Sequence, residues 1–354
     1  MNPDELEPLS DLLRRHGVDS LTEEPFPNDG WSGATMSRLR SNDGRRRFVL
    51  KRDSLERDWI ARATSDRPLL REAWFAAFGP ELPWPIRAPY LGAGREETTG
   101  EIGILMPDLS AVLFDWNANL TVPQLDHVLD AMANMHTRDW RGALDRGAGR
   151  WTPLRERVTL INRPSLERPG PARDAVADRL LSGWDAWDRL ATPAARSVIT
   201  ELANDPQPLL DVLAIEPSTL LHGDLKLANV GIAADGAVEL VDWQMVMVAP
   251  VAVELGWFLV SNVNALPLPA GDLIDRYGSV LDLAWDRGIN DDESVVDVNG
   301  LRTAELAILV GLLLRGWRKG LDTEAGITLA SGVSAADDLA WWCERAVDAA
   351  NRLF

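Results

Sequence analysis

The chain has 354 residues, 46% apolar and 25% charged, with a formal net charge of −18, the profile of a folded globular protein rather than a disordered or fibrous one. That much negative charge argues against a nucleic-acid backbone or an anionic membrane as partner and, where acid gathers in a cleft, favours a cationic ligand. No apolar run approaches the roughly 20 residues of a membrane helix, and Cys343, the only cysteine, excludes an intrachain disulfide and a cysteine-rich zinc site. The N-terminal stretch does not read as a signal peptide, so a cytoplasmic protein is expected.

In chain order, Leu6, Leu9, Leu12 and Leu13 predict a short amphipathic helix within residues 1–20. Asn42-Asp43-Gly44 is a hairpin turn signal, and Arg45–Arg52 after it reads as a strand. Residues 68–79 have helical periodicity and stop at Gly79-Pro80. A proline-rich connection then leads to strands near 88–92 and 100–106. A boundary is expected at Met106-Pro107, where proline ends the strand. It divides the chain into a small sheet with one helix (1–107) and a mostly helical part (108–354). A helix over 121–140 starts on Thr121 with a proline close behind, and others are expected near 172–190, 193–204, 206–213, 271–287, 298–318 and 334–352. Between them, the strands "VGIA" and "AVELVDW", joined by Ala234-Asp235-Gly236, form an island of β-hairpin.

Only Lys51, Lys226 and Lys319 among the 36 basic residues are lysines. A chain that uses arginine so freely keeps lysine where a compact ammonium is wanted. Two of the three fall in stretches with other chemical features.

The first of these is "HGDLKLANV", with Asp224 in a loop and Asn229 five residues on. A carboxylate there can orient or deprotonate a hydroxyl, and a carboxamide oxygen suits Mg²⁺. Asp242 returns across the hairpin and supplies a charged oxygen. Singly, each has a structural reading: an Asx turn, a hairpin cap, an exposed strand end. All three at this spacing behind His-x-Asp-Leu point to a shared site.

"HGDLKLAN" resembles the catalytic loop of the protein-kinase-like fold, and "VDWQ" the metal-binding segment that follows it. The Gly between His and Asp, and the Trp after the second Asp, are similar to the aminoglycoside phosphotransferase family of small-molecule kinases. The resemblance implies an α+β, bilobal fold with ATP and Mg²⁺ as cofactors. It implies Asp224 as catalytic base, and Asn229 and Asp242 as metal ligands. Lys51 on its strand, paired with Glu72 on the helix after it, would hold the nucleotide phosphates. The loop "NDGWSGAT" (28–35) would cover them, with Gly33 allowing close backbone approach and Ser32 a hydrogen bond. Leu105 and Met106 would lie at the hinge, offering backbone to adenine and an apolar lid. Lys226 would neutralise the transferring phosphoryl group, as in protein kinases, although aminoglycoside phosphotransferases often carry another residue there.

Two departures stand out. Gln244 replaces a common Glu. Glu254 replaces an Asp that braces the catalytic loop, and is expected to do so at longer reach. His136 is expected as a core or capping residue. Of Trp184, Trp187, Trp257, Trp317, Trp341 and Trp342, most are expected in the core, with one or two forming a wall for a sugar ring or an ammonium group. The acceptor is expected to be a small molecule with a hydroxyl, most readily an aminoglycoside, amino sugar or other amine-bearing alcohol. Asp291-Asp292-Glu293 and the net acidity favour that choice. A neutral sugar, a choline-like alcohol, or a silent nucleotide-binding regulator are the alternatives.

Overall fold

The computed structural model describes residues 5–27, 30–115, 118–290, 294–298, 300 and 302–354. Asn28 and Asp29 of the expected nucleotide loop, and Asp291-Asp292-Glu293, lie outside the described residues.

The elements run β1 (Glu7–Pro8), α1 (Leu9–Arg15), β2 (Thr22–Pro25), β3 (Thr35–Arg40), β4 (Arg47–Asp53), α2 (Trp59–Ala63), α3 (Arg71–Phe78), β5 (Ile86–Arg87), β6 (Gly92–Arg95) and β7 (Ile102–Pro107). Beyond Pro107 come α4 (Val122–Thr137), α5 (Arg141–Arg146), α6 (Leu154–Thr159), α7 (Arg163–Glu167), α8 (Pro171–Leu190), α9 (Pro193–Asn204) and α10 (Gln207–Leu213). The chain continues with β8 (Thr219–Leu221), β9 (Val230–Ile232), β10 (Val238–Leu240), β11 (Met247–Ala249), α11 (Val251–Asn262), α12 (Ala270–Asn290), α13 (Thr303–Glu324) and α14 (Ala335–Leu353).

The first sheet has the order β1-β6-β7-β4-β3-β2, antiparallel except for β1 beside β6. Its two faces are sorted by strand alternation. Leu50 and Leu105 pack with Leu9 and Leu12 of α1, whereas Val49, Ile104 and Met106 pack with Leu70 and Ala73 on the side of α3. Lys51, two residues beyond Val49, therefore faces the α3 side. The expected strand near 88–92 divides differently: 86–87 pairs parallel with β10, and β6 begins only at Gly92. The N-terminal helix is shorter than expected, because Glu7–Pro8 is taken up as a strand against Gly94–Arg95.

In the helical part, α13 lies at the centre and is buried along most of its length. It meets α11 closely because both carry glycine at the crossing: a Cβ on Gly256 would stand 2.4 Å from the Ala307 carbonyl oxygen. The capping box at Thr121 and Gln124 sets the start of α4. The bilobal, protein-kinase-like α+β architecture expected from the sequence is the one the chain adopts, with a sheet-and-helix lobe followed by a helical lobe carrying the β9–β10 hairpin.

Candidate active site

Three tethers shape the loop between β8 and β9. Gly223 has φ 81°, and a Cβ there would stand 2.0 Å from the Met245 carbonyl oxygen, so neither the conformation nor the space admits another residue. Glu254 on α11, fully buried, accepts the backbone N–H groups of His222 at 3.1 Å and Gly223 at 2.7 Å. Burial alone would raise its carboxyl, but hydrogen bonding and charge from His136 outweigh that and hold it below the usual value. Asn262 accepts the Leu227 N–H at 2.8 Å and donates to the Leu225 carbonyl at 3.2 Å. The longer Glu254 thus braces the loop as expected, while nothing in the sequence pattern marked Asn262.

His222 is also structural. Its Nε2 donates to the Val241 carbonyl at 3.0 Å and its Nδ1 accepts the Asp224 N–H at 3.2 Å. Its ring packs on Trp243, centroids 4.6 Å apart, and Trp243 stacks on Phe75 of α3 at 4.2 Å. His136 is buried, with Nε2 3.0 Å from Glu254, which makes it a satisfied core histidine.

With the loop fixed, six of the expected site residues join in one chain of contacts. Glu72 accepts from Lys51 Nζ at 2.5 Å, Lys51 Nζ also reaches Asp242 Oδ1 at 2.9 Å, Asp242 Oδ2 lies 3.9 Å from Lys226 Nζ, and Lys226 Nζ donates to Asp224 Oδ2 at 2.9 Å. Asn229 Nδ2 closes the chain on the Asp224 carbonyl at 2.9 Å and its Oδ2 at 3.3 Å. Burial would raise the Asp242 carboxyl, yet the two lysine ammoniums hold it down at about 2. Burial likewise works against both ammoniums, and their carboxylate partners outweigh it, so Lys51 and Lys226 stay charged.

Tyr90 is the residue that sequence reasoning overlooked here. Its hydroxyl donates to Glu72 Oε1 at 2.8 Å and accepts the N–H groups of Asp242 at 3.0 Å and Trp243 at 3.3 Å. Asp242 has φ 68°, an uncommon backbone state for a residue with a side chain. Tyr90 holds that turn and the Glu72 carboxylate with one oxygen.

The remaining expected residues stand apart from this chain. Ser32 is buried, its carbonyl accepting the Trp59 N–H at 3.3 Å and its Oγ the Ala34 N–H at 3.4 Å. Gly33 has φ 102°. Leu105 and Met106 lie in the extended backbone of β7, both paired with β4 and Leu105 also with Gly92 of β6. Leu105 turns its side chain toward α1 and its carbonyl accepts the Leu91 N–H at 2.8 Å. Met106 does face the α3 side.

A carboxylate and an amide oxygen suit Mg²⁺, which completes its shell with phosphate oxygens and water. The residues fit that requirement: Asp242 is ionised, and Asn229 uses its amide nitrogen on Asp224, so its oxygen accepts no hydrogen bond among the described residues. Among the described residues no group of three His, Cys, Asp or Glu is placed to hold a metal unaided.

A lysine–glutamate pair in a sheet lobe, facing an Asp-x₄-Asn loop and a second aspartate in a helical lobe, defines a protein-kinase-like phosphotransferase. A family model described as the phosphotransferase enzyme family matches residues 25–289, and the chain belongs to that family. It is accordingly an enzyme, a small-molecule phosphotransferase. No curated protein sequence matches it. Similar solved structures include a spectinomycin phosphotransferase in complex with ADP and spectinomycin, 16% identical over 97% of this chain and 96% of that one with a TM-score of 0.47. They also include a macrolide 2′-phosphotransferase from Brachybacterium faecium, 17% identical over 97% and 96% with a TM-score of 0.43. A third is a choline kinase from Cryptosporidium parvum Iowa II, 10% identical over 94% and 90% with a TM-score of 0.44. No helix among the described residues is long and apolar enough to cross a membrane.

Proposed function

We propose that the protein transfers the γ-phosphoryl group of ATP to a hydroxyl of a small molecule. The observation that carries this reading is the unbroken run Glu72–Lys51–Asp242–Lys226–Asp224–Asn229, which puts phosphate-holding, metal-holding and proton-accepting groups in one place. Asp224 takes the proton of the acceptor hydroxyl as that oxygen bonds to the γ-phosphorus. The bond from phosphorus to the bridging oxygen breaks, and ADP leaves with the electron pair. Lys51, fixed by Glu72, positions the α- and β-phosphates, and the Ser32-Gly33 loop covers them. Mg²⁺, held by Asp242 and Asn229, would supply charge neutralisation on the phosphates. Lys226 leaves Asp224 for the transferring group as charge develops. The division at 107 separates nucleotide-holding from acceptor-holding parts, and a cytoplasmic setting fits the single buried cysteine.

The net charge supports an amine-bearing acceptor such as an aminoglycoside or amino sugar, whereas the cations nearest Asp224 weigh against an ammonium at that point. A coupled ADP-release screen over aminoglycosides, amino sugars, neutral sugars, amino alcohols and hydroxy acids tests the reaction. Asp224→Asn is expected to lower kcat by about 10³-fold with ATP binding retained; acceptor-dependent turnover equal to wild type would sink the mechanism.

A further inference from the structure

Trp257 on α11 has two guanidinium groups against its ring, with the Arg157 Cζ 4.3 Å and the Arg315 Cζ 5.3 Å from the centroid. Both are tied to the supports of the Asp224 loop. Arg157, 2% exposed, donates through Nε to the Gly223 carbonyl at 2.9 Å. Arg315 donates through Nη1 to Ser261 Oγ at 3.2 Å, beside Asn262. Helix α13 leaves helical geometry at Arg315 itself, with φ −140° and ψ 24°, so the chain bends where this side chain is delivered.

Neither arginine forms an ion pair with a described carboxylate, and Arg315 Nε is buried with no hydrogen-bond partner. Burial, joined at Arg315 by the like charge of Arg318, pulls both guanidiniums down to about 10, against the opposing charges of Asp224 on both, Glu254 on Arg157 and Asp322 on Arg315. A desolvated guanidinium with no carboxylate in direct contact is costly, and it lowers that cost by meeting an anion. Arginine is suited to this because its paired N–H donors match a carboxylate or phosphate. The chain is strongly acidic overall, yet Lys226, Arg157 and Arg315 gather around Asp224.

We propose that the acceptor carries an anionic group, a carboxylate or a phosphate, which docks on Arg157 and Arg315 while its hydroxyl faces Asp224. The inference rests on the reading of Asp224 as the base. It reverses the sign expected from net charge: bulk acidity describes the surface, whereas a buried and a half-buried guanidinium, neither in an ion pair with a described carboxylate, set the local field.

Arg157 also braces Gly223, so Arg315→Met is the informative change. Wild type and Arg315→Met are saturated with a non-hydrolysable ATP analogue and Mg²⁺, so that the nucleotide site is filled. Each is then melted with gluconate, glucose 6-phosphate, glucose or glucosamine at millimolar concentration. Gluconate or glucose 6-phosphate is expected to raise the wild-type melting temperature, glucose is not, and the shift is expected to vanish in Arg315→Met measured from its own ligand-free value. Gluconate against glucose 6-phosphate tells carboxylate from phosphate. The inference is overturned by an anion shift that survives Arg315→Met, by no anion shift, or by a shift with glucosamine alone. Acceptor-dependent ADP release that survives Asp224→Asn would instead overturn the kinase reading and leave this binding measurement standing.

Discussion

At the scale of single residues, Tyr90 shows how one oxygen can hold two functions. It satisfies Glu72 and two backbone N–H groups of the turn at Asp242. Tyr90→Phe removes that oxygen and leaves all three without it, which costs about 2 kcal/mol. A urea melt should show that loss, and the KM for ATP should rise more than kcat falls, because Lys51 and Asp242 lose their fixed partners while Asp224 keeps its own. Lys226→Met is expected to do the opposite. It leaves the Lys51 contacts intact and removes the cation beside Asp224, so steady-state kinetics should give a kcat lower by about 10²-fold at nearly unchanged ATP KM. The two residues also differ in legibility. Lys226 and Lys51 stand out in a chain rich in arginine, and each sits in a stretch whose spacing carries information. Tyr90 lies in an irregular proline-rich connection, where a lone tyrosine announces nothing until β10 is seen to run alongside.

Among the elements, the long helices were legible to within a few residues at most ends, because α8, α9 and α14 each bury one face and so keep a 3.6-residue period. Helix α11 does not: nearly every residue from Val251 to Asn262 is buried, and an apolar run without a polar face has no readable phase. Short pieces such as α5, α6, α7 and the β8–β11 pair hold too few residues for any period to show. Helix α2 was missed for the same reason, yet its cap makes a measurable prediction. Asp58 accepts the N–H groups of Ile60 at 2.8 Å and Ala61 at 3.0 Å. Burial dominates, with the charges of Asp53 and Asp242 adding to it, and pushes its carboxyl from 3.8 up to about 7. The folded value lies above the unfolded one, so between about pH 4 and 7 the native state holds a proton that the unfolded chain has released. Stability is therefore expected to fall as pH rises through that window. Asp58→Asn keeps a good helix cap and removes the titration. Denaturant melts across pH 4–8 should show a flatter profile, with the variant more stable at pH 8 by a few kcal/mol.

For the whole molecule, the sequence announced the order of the lobes but not how they are joined, since the joining contacts link residues far apart in the chain and follow no period. Lys51 reaches Asp242 at 2.9 Å, Arg71 of α3 donates to the Gln244 carbonyl at 2.9 Å and the Arg150 carbonyl at 2.7 Å, and Trp74 meets Trp151 edge-on at 5.4 Å. These contacts hold α3 against the helical lobe. The loop proposed to cover the nucleotide has a separate tie: the Arg179 guanidinium of α8 lies 5.2 Å from the Trp31 ring centroid, and Trp31 is 43% exposed. A cation–π contact so open to water contributes about 0.5–1 kcal/mol, too little to matter for folding but enough to bias a loop that must open. Arg179→Ala is therefore expected to release nucleotide about two- to five-fold faster, the factor that energy range implies, with the ligand-free melting temperature moved little. Stopped-flow displacement of a fluorescent ATP analogue measures the rate. An unchanged off-rate would mean that the Trp31 loop does not gate the site, and the covering role of Ser32 and Gly33 would fall with it.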